Sequence, residues 1–157
     1  MPETLRQRIE SDMKSAMKSG DKVRLGVLRM VKAKMLEAEV SMRGKMGRDY
    51  TLEDDASIQV LSTCAKQRKD SIESFRAGGR EDLATQEEQE LSVIEEYLPR
   101  QLDAEEITRI AREGIAEVGA TSARDMGAVM KVVMPRLKGM ADGREVNRII
   151  TGLLGKG

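Results

Sequence analysis

Leu98-Pro99-Arg100-Gln101-Leu102-Asp103-Ala104-Glu105-Glu106 decides how the 157-residue chain divides. A proline forces the residue before it out of the α region, so a helix arriving from the N-terminal side has to stop at Leu98. Asp103 can then cap a new helix, with Glu106 three positions on completing a capping box. Two helical domains are expected on either side of that break, 1–98 and 103–157.

Downstream, Ile107, Ile110, Ala111, Ile115 and Val118 recur at helical spacing over about 104–118, and Gly119 stops the run. Thr121 or Ser122 opens a sixth helix, on which Met126, Val129, Met130, Val133 and Leu137 share a face. Pro135 sits late in it and should kink it or reset its start. A turn over 138–143 leads to a last helix capped by Asp142, with Val146, Ile149, Ile150, Leu153 and Leu154 inward.

Upstream, four helices are expected. Leu5, Ile9, Met13 and Ala16 mark the first, about 3–18, ended by Gly20. Asp21 caps the second, about 22–42, where Val27, Leu28, Val31, Met35 and Ala38 form a stripe before Gly44, Gly47 and Asp49 break it. Thr51, with Asp54 at the box position, opens the third, lined by Ile58, Leu61, Ala65, Ile72 and Phe75 and stopped by Gly78-Gly79. The fourth, about 80–97, turns Leu83, Leu91, Ile94 and Leu98 inward. The expected fold is all-α: an N-terminal bundle of about four helices followed by a small three-helix C-terminal domain.

Composition narrows the function. With no His there is no Ser-His-Asp triad, Cys-His dyad or His-bound metal, and no metal or cofactor site is expected. One Cys excludes an internal disulfide and suits a reducing compartment. No apolar run reaches the ~18 residues of a membrane span, and the first residues lack the apolar core of a secretory signal, so a cytoplasmic protein is expected. The 27 basic and 27 acidic side chains cancel only in sum. Residues 1–50 carry a net +5, residues 51–100 a net −6 and residues 101–157 a net +1. A helical hairpin could pair the first two segments.

Little in the N-terminal part reads as chemistry. Cys64 lies near an apolar stripe without a His to serve as base, and reads as a buried structural thiol. Glu53-Asp54-Asp55 and Glu87-Glu88-Gln89-Glu90 put acids on consecutive helical residues, which point to different faces, so a solvated surface is the simpler account. No phosphate-binding glycine loop is present.

The C-terminal part is more informative. Lys131, Arg136 and Lys138 precede the turn at Gly139, and Gly143, Arg144, Asn147 and Arg148 follow its cap, Asp142. The small residues Gly139, Ala141 and Gly143 would let a sugar-phosphate backbone approach, and free N–H groups at the start of the last helix would add anion affinity. These nine positions, Ala141 aside, are the candidate RNA-binding residues, and no catalytic residue is assigned.

Longer motifs carry a resemblance. Lys66-Gln67-Arg68-Lys69-Asp70-Ser71-Ile72, Gly79-Arg80-Glu81-Asp82-Leu83 and Tyr97-Leu98-Pro99 resemble the YqeY family. Asp125-Met126-Gly127-Ala128-Val129-Met130, Met134-Pro135-Arg136-Leu137-Lys138-Gly139, Ala141-Asp142-Gly143 and Val146-Asn147 continue the match, which covers nearly the whole chain. The resemblance implies a C-terminal part similar to the tail domain of the B and E subunits of tRNA-dependent amidotransferases, where the tail helps to hold tRNA. The catalytic cradle of those subunits has no counterpart here. One position departs from the pattern: Met140 stands where a basic residue is usual.

The resemblance thus implies a non-catalytic tRNA-binding protein. A first alternative is a protein-interaction module for an amidotransferase or aminoacyl-tRNA synthetase. A second is the family label of a carbon–nitrogen ligase with glutamine as amido donor, for which the residues offer neither an activating phosphate site nor a nucleophile with a base.

Overall fold

The computed structural model describes residues 2–155. Among them the chain forms α1 (Leu5–Ser19), α2 (Lys22–Met46), α3 (Asp54–Ala77), α4 (Glu81–Glu95), α5 (Ala104–Val118), α6 (Met126–Arg136) and α7 (Gly143–Leu154). A 3-10 turn, Ala123–Asp125, precedes α6, and no strand occurs among the described residues. The expected all-helical class is what the chain adopts. It groups into two compact units, Met1–Leu98 and Pro99–Gly157.

In the first unit, Ile9 of α1, Val27, Leu28, Val31 and Met35 of α2, Leu61 and Cys64 of α3, and Ile94 and Tyr97 at the end of α4 share one core. Thr4 and Gln7 form a capping box on α1, and Gly20, at φ +74°, closes it in the left-handed region that glycine favours. Asp21 caps α2 through the Arg24 N–H.

Two expected boundaries move. Gly44 lies inside α2, which runs on to Met46. A helical glycine costs only ~1 kcal/mol, and this turn is anchored where Arg43 donates to Glu39 and to the Tyr50 carbonyl. Thr51 does not cap α3, which starts at Asp54 with Glu53 at its N-cap. The Leu52 N–H donates to Glu39 Oε2 at 3.0 Å and keeps this segment out of the helix. Asp54 instead accepts the Leu5 N–H at 3.0 Å, tying the start of α3 to the start of α1.

Glu39 is the notable buried charge, 2% exposed on the same helix face as Met35. Arg6 lies 2.8 Å and Arg43 2.9 Å from its two carboxylate oxygens. Burial pushes this carboxyl up, but the Leu52 N–H and the two arginines outweigh it and hold it below the usual carboxylate range. Of the expected pairing between basic and acidic segments, Arg24 does reach Glu96 at 2.6 Å, whereas Arg68 and Arg76 pair with acids of their own segment.

In the second unit, Asp103 and Glu106 form the expected capping box, and Gly119 ends α5 at φ +69°. Ile107, Ala111, Val129, Val133, Leu137, Val146, Ile150 and Leu154 make its core. Gly114 is buried on α5, where an added Cβ would overlap Val133 Cγ2, so the absence of a side chain sets how closely α5 meets α6. Ser122 and Asp125 box the 3-10 turn that leads into α6. Pro135 occupies the last turn of α6, which ends one residue later at Arg136.

Candidate nucleic-acid interface

The turn between α6 and α7 is built from backbone hydrogen bonds. The Leu137 N–H donates to Met134 at 3.1 Å and the Met140 N–H to Leu137 at 2.8 Å. Gly139 follows at φ +75°, a conformation that excludes most side chains. The segment ahead of α5 grips the turn from its carbonyl side. Gln101 Nε2 donates to the Gly139 carbonyl at 2.7 Å and to the Pro99 carbonyl at 2.9 Å, and the Leu102 N–H donates to the Met140 carbonyl at 2.9 Å. Two acceptors that would repel a phosphate are thereby occupied within the unit.

The expected free N–H groups at the start of α7 are only partly available. Asp142 caps the helix, its Oδ1 accepting the Arg144 N–H at 2.9 Å. The carboxylate already takes the place an anion would occupy. Anion contact at this turn therefore passes to side chains.

Those side chains sort by helix face. Val132, Val133 and Arg136 mark the side of α6 toward α5: the valines crowd Gly114, and Arg136 pairs with Glu117. Arg136 is thus drawn away from the other candidates, an outcome its sequence position conceals. The side toward α7 carries Met126, whose sulfur lies 4.0 Å from Thr151 Oγ1, and Met134, whose methyl neighbours Gly143. At about 100° per residue, the exposed residues Gly127 and Lys131 line the outer edge beside those methionines, and Lys138 stands exposed in the turn after the helix. On α7 the core positions Val146, Ile150 and Leu154 leave Arg144, Asn147, Arg148 and Thr151 exposed. Asn147 accepts a hydrogen bond from Thr151 at 3.4 Å.

The α6/α7 surface therefore brings together Lys131, Lys138, Arg144, Asn147 and Arg148, while Gly139, Asp142 and Gly143 shape the turn at its end. Lys131, Lys138 and Arg148 make no ion pair among the described residues. Of the acids nearest in sequence, Asp125 and Asp142 are engaged by backbone N–H groups. The Thr121 N–H donates to Asp125 at 2.9 Å, whereas Glu145, on the flank of α7 away from Asn147, stands one turn from Arg148. The outcome is a cationic strip with a smooth, side-chain-free step at Gly127, where a Cβ would meet nothing within 4 Å.

Other candidates resolve into structure. Cys64 is buried, 3% exposed, with its sulfur 4.0 Å from that of Met30, and burial pushes the thiol up. Glu87 and Glu90 flank Arg68 at 3.1 and 3.5 Å, and Glu88 pairs with Arg76. Sequence reasoning missed a groove of about 600 Å³ in the first unit, lined by Arg8, Asp12, Arg24, Glu96 and Tyr97 among others. The Tyr97 hydroxyl donates to Asp12 at 2.5 Å, and the Arg8 guanidinium stacks 4.6 Å from the ring centre. Burial, with Asp12 adding to it, raises the Tyr97 phenol. A polar aromatic at a helix end, just before a proline, was the available signal.

The family model described as Yqey-like protein matches residues 6–154. "Altered inheritance of mitochondria protein 41, mitochondrial" of Pyrenophora tritici-repentis is 31% identical over 154 residues, covering 94% of this chain and 80% of that protein. Proteins of the same name from Saccharomyces cerevisiae and Lachancea thermotolerans are 31% and 33% identical over 90 residues. Those matches cover 57% of this chain, which spans about half the length, 46%, of these two relatives. The relatives' mitochondrial names overturn the expected cytoplasmic location. That expectation came from missing apolar segments, and a protein inside an organelle lacks them equally. No described helix is long and apolar enough to cross a membrane.

Proposed function

The chain belongs to the Yqey-like family, and on that premise we propose that it is a non-catalytic RNA-binding protein whose residues 103–157 act as a tRNA-holding domain akin to the amidotransferase tails. The observation that carries this reading is the α6/α7 strip, where Lys131, Lys138 and Arg148 stand exposed without a carboxylate partner among the described residues. Phosphates neutralise such side chains and release counterions, a gain that surface lysines and arginines paired with acids do not offer. Domain 1–98 serves as the scaffold.

Band-shift of the full chain with bulk tRNA tests this. Binding is expected at low salt and should weaken with a log–log slope of about −3 to −4, the signature of roughly four to five phosphate contacts. Replacing Lys131 and Lys138 by Glu should abolish it. Absence of binding at low salt, or a double variant that binds like the parent, sinks the reading.

A protein-interaction role is the second reading, favoured by Leu36 and Val40 on α2, which stay 53% and 54% exposed one helical turn apart. Capture of an amidotransferase or aminoacyl-tRNA synthetase after RNase treatment, lost in Leu36→Lys, would support it. A capture that RNase removes would return the role to RNA.

A further inference from the structure

We infer that the α6/α7 strip takes base-paired RNA, gripped through its backbone, and not an unpaired strand. The inference rests on the RNA-binding reading above and names its ligand class.

Proteins that hold unpaired strands supply aromatic platforms on which bases stack, each worth ~1–3 kcal/mol. The three aromatic side chains of this chain are Tyr50, Phe75 and Tyr97. All three precede Pro99, so the unit that carries the strip has no aromatic ring at all. What it offers instead suits a duplex. Lys131 on α6 and Lys138 in the turn after it are both exposed. Two ammonium groups seven residues apart in sequence can meet different phosphates of one backbone.

One helical turn before Lys131, toward the start of α6, the surface is low. Gly127 presents bare backbone with open space above it. Asn147 gives its Oδ1 to Thr151, which leaves its NH₂ to donate outward to a phosphate or a 2′-hydroxyl. Shallow contact of this kind matches the wide minor groove of A-form RNA, where shape, phosphates and 2′-hydroxyls are read and bases are not.

Fluorescence polarisation of the full chain tests the assignment with four probes at one salt concentration: bulk tRNA, a 16-base-pair RNA duplex, an unstructured RNA strand of equal charge and the matching DNA duplex. The RNA duplex should bind at least about ten-fold more tightly than the single strand, with the DNA duplex weaker than the RNA duplex. Equal or tighter binding of the single strand, while tRNA still binds, overturns the duplex assignment and leaves RNA binding standing. Failure to bind tRNA overturns the reading beneath it. Gly127→Met is the variant of choice, because it raises helix propensity and its Cβ meets no neighbour, so the fold survives while the smooth step is blocked. It should weaken duplex binding at least about five-fold with an unchanged melting temperature, and unaltered duplex affinity would count against the assignment.

Discussion

Gln101 reaches across 38 residues of sequence to hold the carbonyl of Gly139 at 2.7 Å, and the same amide nitrogen holds the Pro99 carbonyl at 2.9 Å. One side chain therefore fixes both the entry to α5 and the tightest point of the turn before α7. Gln101→Leu removes both donors and should destabilise the second unit by about 1–2 kcal/mol, read as a lower urea midpoint. Gln101→Lys keeps a donor at the site and should recover part of the loss. A wild-type midpoint for the leucine variant would show that the turn holds itself.

Asp142 faces both ways in this scheme, capping α7 while placing a negative charge beside the proposed phosphate contacts. Asn caps a helix about as well as Asp, so Asp142→Asn should leave stability within about 0.5 kcal/mol. Removing the charge should tighten tRNA binding about two- to five-fold at low salt. Weaker binding in this variant would mean that the carboxylate contributes to the contact, contrary to its assignment as a cap alone.

Gly114 is sterically committed to Val133. Gly114→Ala should cost about 1–3 kcal/mol despite alanine's higher helix propensity, because the methyl meets a branched side chain held in a packed core. Pairing it with Val133→Ala should recover part of that cost, a non-additivity that chemical denaturation of both single variants and the double variant can measure.

Glu39 predicts an acid limit. Its carboxyl is held below the ordinary value of 4.5, so the folded state binds fewer protons there than the unfolded chain. The stabilisation is fully present above pH 4.5 and is lost as the pH falls through the depressed folded value. Glu39→Gln should flatten the acid limb of stability against pH. It should also cost on the order of 3 kcal/mol at neutral pH, since Arg6 and Arg43 lose their shared partner.

Cys64 should be inert while the protein is folded. The thiol is buried and its ionisation suppressed, so modification by a thiol reagent should be at least about a hundred-fold slower in the native protein than in denaturant. Rapid native labelling would point to opening of the α2–α3 contact around Met30.

Much of the fold was legible because it is written locally. The Asp103/Glu106 box, the stops at Gly20 and Gly119 and the inward stripes of α5 and α7 need only neighbours within a turn or two. The errors fall where a distant residue decides. Thr51 loses its capping role because Leu52 is held by Glu39, thirteen positions earlier. Glu39 looks like an ordinary surface acid until Arg6 and Arg43 close around it. Arg136 looks equivalent to Lys138, yet Glu117 draws it to another face. For the candidate interface, residue types and approximate positions were readable, whereas the sorting into one strip required knowing which side of α6 meets α5.

The confinement of Tyr50, Phe75 and Tyr97 to the first unit makes the two halves spectroscopically unequal. Tyrosine emission and near-ultraviolet dichroism report on residues 1–98 alone, and the second unit is visible only through its helical far-ultraviolet signal. Melting the chain while recording both signals would show directly, without labels or truncation, whether the halves unfold together or one after the other. The silent half is also the one proposed to meet RNA. A ligand-induced rise confined to the far-ultraviolet transition would therefore assign the binding unit from a single pair of curves.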